Sequence, residues 1–298
     1  MKQVMNMTLR HLRVFAAVCD TLNMTKAAQE LYMTQSAVSQ AISELETSYG
    51  VKLFERLSKK LYLTQAGEKL IGYARHMIRL EEDAESEMRN LREKSRIRVG
   101  ASVTVGSSVL PGLAAALKRE LPRLGLEVTE DNTAAIERLL LLDKLDIGLV
   151  EGTVRSPELL VFPFAQDRLA LVCGREHPFY SRSLVEPKEL EREDWILREA
   201  GSGTRRTFEE AMERYGLKWS SSWTCNNADT IKAAVAEGLG VSMISERTVR
   251  QDIETGLLRS VPVNGLSPVR DFQLVYHKSK YLTPALEEFL SFCRSRVR

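Results

Sequence analysis

Residues 27–67 read AAQELYMTQSAVSQAISELETSYGVKLFERLSKKLYLTQAG, and this stretch decides the fold of the N-terminal part of the chain. Thr34 is a suitable N-cap, and Gly50 belongs to the residue type that commonly follows the last turn of a helix. Between them, apolar residues recur at helical spacing at Val38, Ile42 and Leu45. The pattern predicts a helix over 35–49.

The outward face of this predicted helix is polar but almost uncharged. Solvated helix faces usually carry Lys and Glu, which favour helix formation more strongly than Ser does. Ser and Gln side chains suit hydrogen bonds to phosphates and base edges. We therefore predict that this face contacts DNA through Thr34, Gln35, Ser36, Ser39 and Gln40.

Two shorter helices are predicted before it, one on the apolar stripe that begins at Leu9 and one from Lys26 to Tyr32, capped by Thr25. Two helices joined by a tight turn, the second with a polar N-terminal half, are typical of a helix-turn-helix. Residues 51–64 then predict a winged ribbon with a basic tip. Four residues of this segment complete the predicted DNA contacts: Arg56, Lys59, Lys60 and Thr64.

Composition excludes several classes of protein. The 298 residues are 44% hydrophobic and 28% charged, which predicts a globular chain with a sizeable core. The net charge of +2 is uninformative, but residues 1–64 hold eight basic and five acidic side chains, a pattern that favours a polyanionic partner. We find no apolar run of membrane-spanning length and no secretory signal pattern. Four widely spaced cysteines favour free thiols and a cytoplasmic location.

A long helix is predicted after the wing, over residues 65–94. Apolar residues recur at spacings of three or four: Ala66, Leu70, Tyr73, Met77, Leu80, Ala84, Met88 and Leu91. About 28 residues span roughly 42 Å, too long for this seam to be buried against a module of some sixty residues. We therefore expect the helix to pair with its copy in a homodimer, the usual form in which a helix-turn-helix binds DNA. The alternative is a long helix that lies along its own domain.

Residues 95–298 alternate short apolar strands with helices, which predicts α/β layers with parallel strands. The expected strands are 96–101, 127–130, 146–150, 169–173, 241–244 and 272–276. The expected helices are 110–120, 134–142, 204–215, 228–237 and 284–296. Proline-containing breaks at 163–167 and 263–270 suggest crossings between two subdomains. Subdomain I would comprise 95–164 with 267–298, and subdomain II would comprise 165–266.

Ligands of open α/β sheets bind beyond the carboxyl ends of strands, near helix N-termini. Two loops of this kind, Ser102–Ser108 and Gly201–Thr204, are rich in glycine and hydroxyl groups, which suits a small anion. The predicted ligand-binding residues are Ser102, Thr104, Thr133, Ser202, Thr204 and Asn227. Three nearby basic side chains could neutralise an anion, but we interpret them as solvent-exposed surface residues: Arg205, Arg206 and Lys232.

The run over 27–67 resembles the N-terminal signature of LysR-type transcriptional regulators, and chain length and order of parts also match. The resemblance implies a multidomain α+β protein: a winged helix-turn-helix (1–64), a dimerising linker helix (65–94), and an effector-binding domain (95–298) built like a type 2 periplasmic binding protein. It implies homodimers or homotetramers on double-stranded promoter DNA, and effector contacts on the two hydroxyl-rich loops. One departure is Lys59–Lys60 at the wing tip, where Arg is commoner.

The GSGTR run at 201–205 resembles family members that govern sulfur assimilation and sense sulfur oxyanions, and also members that sense carboxylates or phosphorylated metabolites. The predicted effector is therefore a small anion, either a sulfur oxyanion or a short carboxylate.

Three other functions remain as alternatives. An enzyme would explain the cleft, but no catalytic histidine motif, metal cluster or cofactor fingerprint is present. A periplasmic solute-binding protein would also explain the cleft, but not the polar face of the helix over 35–49, the long apolar seam or the absence of a signal pattern. His177 and His277 show no carboxylate or nucleophile motif beside them in sequence. A peroxide sensor of the same family needs two cysteines that can meet, whereas Cys173 and Cys225 lie on predicted strands. We expect no metal, no cofactor and no enzymatic activity.

Overall fold

A computed structural model describes residues 7–58, 60–89 and 95–296. The chain divides into two compact units, Met1–Glu93 with Leu141–Asp143 and Lys94–Leu140 with Lys144–Arg298. The first unit is mainly helical, the second is a mixed α/β structure, and each has a hydrophobic core of its own. Among the described residues, no helix combines the length and the apolar character that a bilayer span requires.

Three short helices open the first unit: α1 (Leu9–Thr21), α2 (Met24–Glu30) and α3 (Gln35–Tyr49). Helix α3 has the predicted bounds. It begins where the Thr34 hydroxyl accepts a hydrogen bond from the backbone of Ala37, and it ends at Gly50, whose φ of 67° is left-handed. These three helices enclose Phe15 and Val38, both of which are fully buried.

The prediction for α2 is wrong at both ends. Asn23, not Thr25, is the cap, because its side-chain oxygen accepts hydrogen bonds from the backbone N–H groups of Thr25 and Lys26. The helix ends at Glu30, and Tyr32 lies outside it with a left-handed φ of 53°. Both N–H donors follow Asn23 within one turn, so the helix starts at Met24, two residues earlier than the predicted start at Lys26.

The wing is an antiparallel ribbon of β1 (Phe54–Leu57) and β2 (Lys60–Leu63), with Phe54 opposite Leu63. The long helix α4 (Gln65–Arg89) follows directly. Thr64 caps it by accepting from the backbone N–H of Gly67, so the predicted helix start is confirmed.

Helix α4 presents two apolar faces. One face contains Ile71 and Ala74, which are buried in the core of the first unit, with Leu70 and Met77 half-buried beside them. The other face exposes three large side chains: Tyr73, Leu80 and Met88. The predicted continuous seam is therefore wrong in part, because three of its members, Ala66, Leu70 and Met77, pack against their own unit. Leu91 lies outside the described residues.

The second unit begins with two strand–helix repeats. Its first elements are β3 (Ser95–Ser102), α5 (Val103–Ser108), α6 (Leu110–Glu120), β4 (Leu124–Asp131), α7 (Thr133–Leu141) and β5 (Ile147–Glu151). Strand β3 lies between β4 and β5, and both pairings are parallel, as predicted. Residues 103–108, which we expected to be a loop, form helix α5.

The remaining elements are β6 (Leu159–Gly174), β7 (Asp194–Arg198), α8 (Gly203–Arg214), β8 (Ser220–Cys225), α9 (Ala228–Ala236), β9 (Ser242–Ser245), α10 (Glu246–Glu254), β10 (Leu258–Ser260), β11 (Val269–His277) and α11 (Pro284–Arg296). The main sheet has the order β10-β6-β11-β5-β3-β4, and β9 also pairs with β6. Strands β7 and β8 form a separate parallel pair. The sheet is therefore mixed, because β11 and β6 run antiparallel to their neighbours in the order.

Strand β6 carries the chain from one half of the second unit to the other. Nine of its first ten residues pair with β11, all but Phe164, and its last residues pair with β9 and β10. The chain does cross within this strand, but the predicted break at 163–167 is wrong, because the strand is continuous. Pro163 lies inside the strand, opposite Gln273, where the register shifts. Such an irregularity tolerates a residue without a backbone N–H donor.

Candidate functional site

Helix α3 displays a polar surface that we call the recognition face: Thr34, Gln35, Ser36, Ser39 and Gln40. Four of these side chains are exposed, and Ser39 is half-buried. The Thr34 hydroxyl lies 3.0 Å from the Ser36 hydroxyl and 3.2 Å from the backbone N of Ala37, because it also caps the helix. The face carries no formal charge, so its polar atoms can form hydrogen bonds without attracting a fixed counter-ion.

Glu44 lies one turn beyond the recognition face and holds Gln40. The Gln40 Nε2 donates to Glu44 Oε1 at 2.9 Å, and the other Glu44 oxygen lies 2.8 Å from His11 Nε2 on α1. Both hydrogen bonds lower the pKa of Glu44 below its ordinary value, and the hydrogen bond from His11 has the larger effect. Glu44 is therefore an ionised acceptor beside Gln40 at neutral pH.

The wing places two of its predicted DNA contacts on the surface. Arg56 and Lys60 are exposed, and Arg56 lies opposite Leu61 in the ribbon. Thr64 differs from them, because its hydroxyl donates to the carbonyl of Lys52 at 2.7 Å while it caps α4. Lys59 lies outside the described residues.

In the second unit, an arginine that the sequence analysis did not single out lies at the centre of a buried polar cluster. The guanidinium of Arg270 donates from Nη1 to Thr204 Oγ1 at 2.8 Å and from Nη2 to Thr104 Oγ1 at 3.3 Å. The two threonine oxygens are 3.4 Å apart. Thr104 lies in the first turn of α5 and Thr204 in the first turn of α8, so two helix starts meet at one guanidinium.

Two carboxylates complete this group. Asp167 Oδ2 accepts from Arg270 Nε at 2.9 Å, and Asp167 Oδ1 accepts from the Ser245 hydroxyl at 2.7 Å. Glu151 Oε1 lies 3.7 Å from Arg270 Nη1, and its other oxygen accepts from the Ser102 hydroxyl. We call the group the Arg270 cluster: Ser102, Thr104, Glu151, Asp167, Thr204 and Arg270.

Burial dominates the electrostatics of Glu151. Glu151 is only 1% exposed, and this burial raises the pKa of its carboxyl even though Arg270 and Arg198 act in the opposite direction. Arg198 is itself bound to Glu199 through two hydrogen bonds of 2.8 and 3.0 Å. Each buried guanidinium therefore already has carboxylate partners, and a ligand would have to compete with them.

The structure brings some of the predicted ligand residues together and leaves others apart. Ser102, Thr104 and Thr204 belong to the Arg270 cluster, and the Thr133 hydroxyl donates to the Glu151 carbonyl at 3.0 Å. Ser202 instead caps α8, where it accepts from the backbone of Thr204 at 3.2 Å. Asn227 caps α9 by accepting from the backbone of Thr230 at 2.8 Å.

A cavity of about 10 Å³ lies between Thr104, Thr204 and Arg198. This volume is close to the minimum that one water molecule needs. A wider groove of about 950 Å³ is lined by other residues, among them Arg168, Arg247 and Glu254, which bring charges of both signs. Of the predicted ligand residues, Thr104 and Thr204 line the small cavity, which must widen to admit a multi-atom anion.

Sequence reasoning missed Glu151, Asp167, Arg198 and Arg270. Glu151 had a readable signal, because it directly follows the apolar strand residues of β5, at the carboxyl end where ligands of α/β sheets bind. Arg198, at the end of β7, had the same signal. Asp167 and Arg270 had none, since each lies within an antiparallel strand whose pairing cannot be read from local spacing.

The groups behind the alternative functions have structural roles. His177 Nε2 lies 3.0 Å from the carboxylate of Glu193, sixteen positions along the chain, and its ring also caps the turn at Pro178–Ser181 by accepting from the backbone of Phe179. Burial raises the pKa of the Cys173 thiol to about 11 and raises that of Cys225 as well, which disfavours reactive thiolates. Within the described ranges, His, Cys, Asp and Glu form no group suited to a metal ion.

The three cations interpreted as solvated surface have acidic partners. Arg205 and Arg206 pair one turn along α8 with Glu209 and Glu210, at 2.7 and 2.8 Å. Lys232 lies 3.1 Å from Asp252 and 3.2 Å from Asp229.

Fold and sites together define a class of protein: a DNA-binding transcriptional regulator with a winged helix-turn-helix and a separate effector-binding domain. The family described as "Bacterial regulatory helix-turn-helix protein, lysR family" matches residues 9–68, and "LysR substrate binding domain" matches residues 91–298. The chain belongs to the LysR family of bacterial transcriptional regulators.

Relatives along the whole chain are transcriptional regulators. The chain is 34% identical over 289 residues to "Uncharacterized HTH-type transcriptional regulator YeiE" of Escherichia coli (strain K12), covering 97% of this chain and 98% of the relative. It is 31% identical to the HTH-type transcriptional regulator CysL of Bacillus subtilis, covering 96% and 97%. It is also 31% identical to the RuBisCO operon transcriptional regulator of Allochromatium vinosum, covering 98% and 97%.

Solved structures share the fold. A full-length OxyR variant from Pseudomonas aeruginosa aligns with a TM-score of 0.72 at 21% identity, covering 98% of each chain. The regulatory domain of Synechocystis CcmR, in complex with 2-PG, aligns with a TM-score of 0.63 at 22% identity, covering 68% of this chain and 97% of that domain. At these identities the likeness supports the architecture alone.

Proposed function

We propose that this LysR-type regulator reads promoter DNA with the recognition face and the wing, and that a small anion binds at the Arg270 cluster and alters promoter binding. The observation that carries the DNA part is the exposed, uncharged Ser/Gln surface at the start of α3. Base edges in the major groove offer donors and acceptors that such side chains match. Arg56, Lys59 and Lys60 of the wing supply phosphate contacts, with Thr64 at its base.

The effector part is supported by the concentration of hydroxyl groups and guanidinium groups around one small cavity. An anion between Thr104 and Thr204 would accept hydrogen bonds from both hydroxyls, and Arg198 borders the same space. Ser102, Thr133, Ser202 and Asn227 complete the proposed binding set, within reach of a cavity that opens. A sulfur oxyanion or a short carboxylate fits this chemistry, because each needs several donors and little apolar contact.

The Arg270 cluster also gives a route from ligand to response. Thr104 and Glu151 come from the first part of the second unit, whereas Thr204 comes from α8 after the β6 crossing. A ligand that takes Arg270 away from its carboxylates changes how these elements are held and shifts the population of domain conformations. Two structural neighbours are described with small molecules, CcmR with 2-PG and QuiR with shikimate, which supports ligand binding in this fold.

The proposed assembly is a homodimer or homotetramer on promoter DNA in the cytoplasm. The exposed apolar face of α4, with Tyr73, Leu80 and Met88, supports pairing of two linker helices. The proposed domains are 1–64, 65–94 and 95–298, the last with subdomains 95–164 plus 267–298 and 165–266. Two-fold pairing would set the spacing of the DNA half-sites.

The test combines DNA selection with calorimetry on the full-length chain. Selection from random duplex DNA should enrich one sequence, and sulfate, sulfite, thiosulfate, phosphate and short dicarboxylates should be titrated in turn. Thr204→Val removes one hydroxyl at nearly constant shape and should weaken the best anion by roughly 1–3 kcal/mol. Thr230→Val, at an exposed threonine of α9, should leave affinity unchanged.

Two outcomes would contradict the proposal. If Thr204→Val binds the best anion as tightly as the wild type, this threonine is not in the site. If no anion binds to the wild type, the effector class is wrong. Failure to enrich any DNA sequence would overturn the base-reading role of the recognition face.

A further inference from the structure

A line of hydrogen bonds runs from the start of α1 to the recognition face. The backbone N–H of Thr8 lies 3.2 Å from His11 Nδ1, His11 Nε2 lies 2.8 Å from Glu44 Oε2, and Gln40 Nε2 lies 2.9 Å from Glu44 Oε1. The His11 side chain is 19% exposed and that of Glu44 is 52% exposed. The line therefore connects a partly covered ring on α1 to a surface side chain on α3.

The chemistry of the partners fixes the protons along this line. Two groups of Thr8 face Nδ1 of His11, the backbone N–H at 3.2 Å and the hydroxyl oxygen at 2.8 Å. The N–H can only donate and the hydroxyl can also donate, so an Nδ1 without a proton accepts from both. In this tautomer the ring proton is on Nε2, which donates to Glu44. His11 thus takes the place that Glu or Gln occupies in a capping box, and its second nitrogen remains available to orient the carboxylate.

The same reasoning fixes the amide of Gln40. A carboxylate only accepts hydrogen bonds, so the amide nitrogen of Gln40 must face Glu44 and the amide oxygen must point away from it. One N–H and the oxygen remain for a partner. This donor–acceptor pair matches N7 and the N6 amino group of adenine, whereas a flipped amide would lose its bond to Glu44.

We propose that His11 and Glu44 are positioning residues that hold Gln40 in the amide orientation needed to read one base in the major groove. The inference rests on the proposed base-reading role of Gln40. A free glutamine on a helix surface samples many rotamers and both amide orientations, and it loses this freedom when it binds DNA. Glu44 and His11 impose the order before binding, so more of the contact energy goes into discrimination.

The experiment is a double-mutant cycle in full-length protein on the selected DNA. First, Gln40→Ala is assayed on every single-base variant of the site, which locates the base pair whose discrimination depends on Gln40. Glu44→Ala should then lower discrimination at that base pair by roughly fivefold to tenfold. His11→Phe keeps a ring but removes both nitrogens, and it should lower the same discrimination by a smaller factor. Glu44→Gln keeps an acceptor for Gln40 and should recover part of the loss.

The cycle separates positioning from other effects of the charge. Glu44 also repels phosphates, so Glu44→Ala should tighten binding to random DNA, and Glu30→Ala on exposed α2 serves as the control for loss of one negative charge. Glu30→Ala should leave base discrimination unchanged. In a Gln40→Ala background, Glu44→Ala should have no further effect on discrimination, because the side chain that it positions is absent.

The outcomes distinguish failure of the positioning role of Glu44 from failure of the base-reading role of Gln40. If Gln40→Ala leaves discrimination intact at every base pair, the proposed base-reading role itself is wrong. If Gln40→Ala lowers discrimination but Glu44→Ala does not, Gln40 reads DNA without a positioning residue. Equal effects of Glu44→Ala with and without Gln40 would also overturn the inference. Thermal unfolding of each variant shows whether a loss comes from the fold instead.

Discussion

The recognition face is built by one helix, whereas the Arg270 cluster is built by six elements. The cluster draws side chains from β3, α5, β5, β6, α8 and β11, and each is 5% exposed or less. The recognition face projects into solvent and carries no formal charge. An exposed polar side chain contributes little to folding and is free to act on a partner. A buried network holds the fold, and a ligand there must compete with bonds already made.

The largest expected effect comes from the centre of the buried site. Arg270→Met should reduce the free energy of unfolding of the second unit by about 3–5 kcal/mol, because it leaves Asp167 and Glu151 buried without their cation. Urea unfolding followed by tryptophan fluorescence measures this directly, since all three tryptophans lie in that unit.

The matched control is Arg250→Ala. The side chain of Arg250 is 81% exposed and pairs with Glu254 on the same helix, so its loss should change the free energy of unfolding by less than about 0.5 kcal/mol. Equal stability of the two variants would show that the Arg270 cluster is not a structural network.

The second effect concerns pH. Burial raises the pKa of Glu151 in the folded state, so the unfolded state ionises first as pH rises. Stability should therefore fall with increasing pH above the ordinary carboxyl range, by up to about 1.4 kcal/mol per pH unit, until the folded carboxyl also ionises. Glu151→Gln removes this titration and still offers an acceptor to Ser102, so its stability profile should be flatter than that of the wild type.

Urea midpoints measured between pH 5 and 8 test this prediction. The prediction is wrong if the stability of the wild type rises with pH over this range. It is also wrong if the stability of Glu151→Gln depends on pH as steeply as that of the wild type. No such dependence is expected from the recognition face, which contains only hydroxyl and amide side chains.

The same contrast explains what the sequence could predict. Helix α3 was predicted to the residue, because Thr34 and Gly50 act on their immediate neighbours. Ser102, Thr104 and Thr204 were predicted because strand ends and helix starts are local signals. Arg270 and Asp167 were not, since Arg270 meets Thr104 across 166 positions of the chain and local spacing contains no trace of that contact.

Errors elsewhere have equally specific causes. Asn23 replaced Thr25 as the cap of α2 because both residue types suit the position and only the backbone geometry chooses between them. Pro163 suggested a break, but it lies at a register shift inside β6, and such an irregularity tolerates a residue without a backbone N–H donor. The buried face of α4 with Ile71 and Ala74 was overlooked because a neighbouring apolar seam fitted the heptad pattern.

The third prediction moves to the exposed site. Gln40→Ala should weaken binding to the selected DNA by about 1–3 kcal/mol and leave binding to random DNA nearly unchanged, because only base contacts distinguish the two. The free energy of unfolding should not change, since the Gln40 side chain is exposed. Fluorescence anisotropy titrations with the selected and the random duplex give the two dissociation constants, and their ratio measures specificity.

Gln251→Ala, the same substitution at an exposed position of α10, provides the control and should bind both duplexes as the wild type does. Equal losses on selected and random DNA would remove Gln40 from base reading. If Gln40→Ala lowers the free energy of unfolding, the recognition face contributes to folding as the Arg270 cluster does, despite its exposure.

The smallest effect is expected at the wing. Arg56 is exposed on β1, and as a phosphate contact it would carry no sequence information, so Arg56→Ala should weaken selected and random DNA by the same factor. Loss of one phosphate contact should also reduce the slope of log affinity against log salt by about 1. Anisotropy titrations at several salt concentrations measure both quantities, with Arg250→Ala controlling for the change in net charge. An unchanged slope would place Arg56 away from the DNA, and a loss confined to the selected sequence would make it a base-reading residue. Either result would contradict the proposed division of roles, in which residues of α3 read bases and residues of the wing bind phosphates.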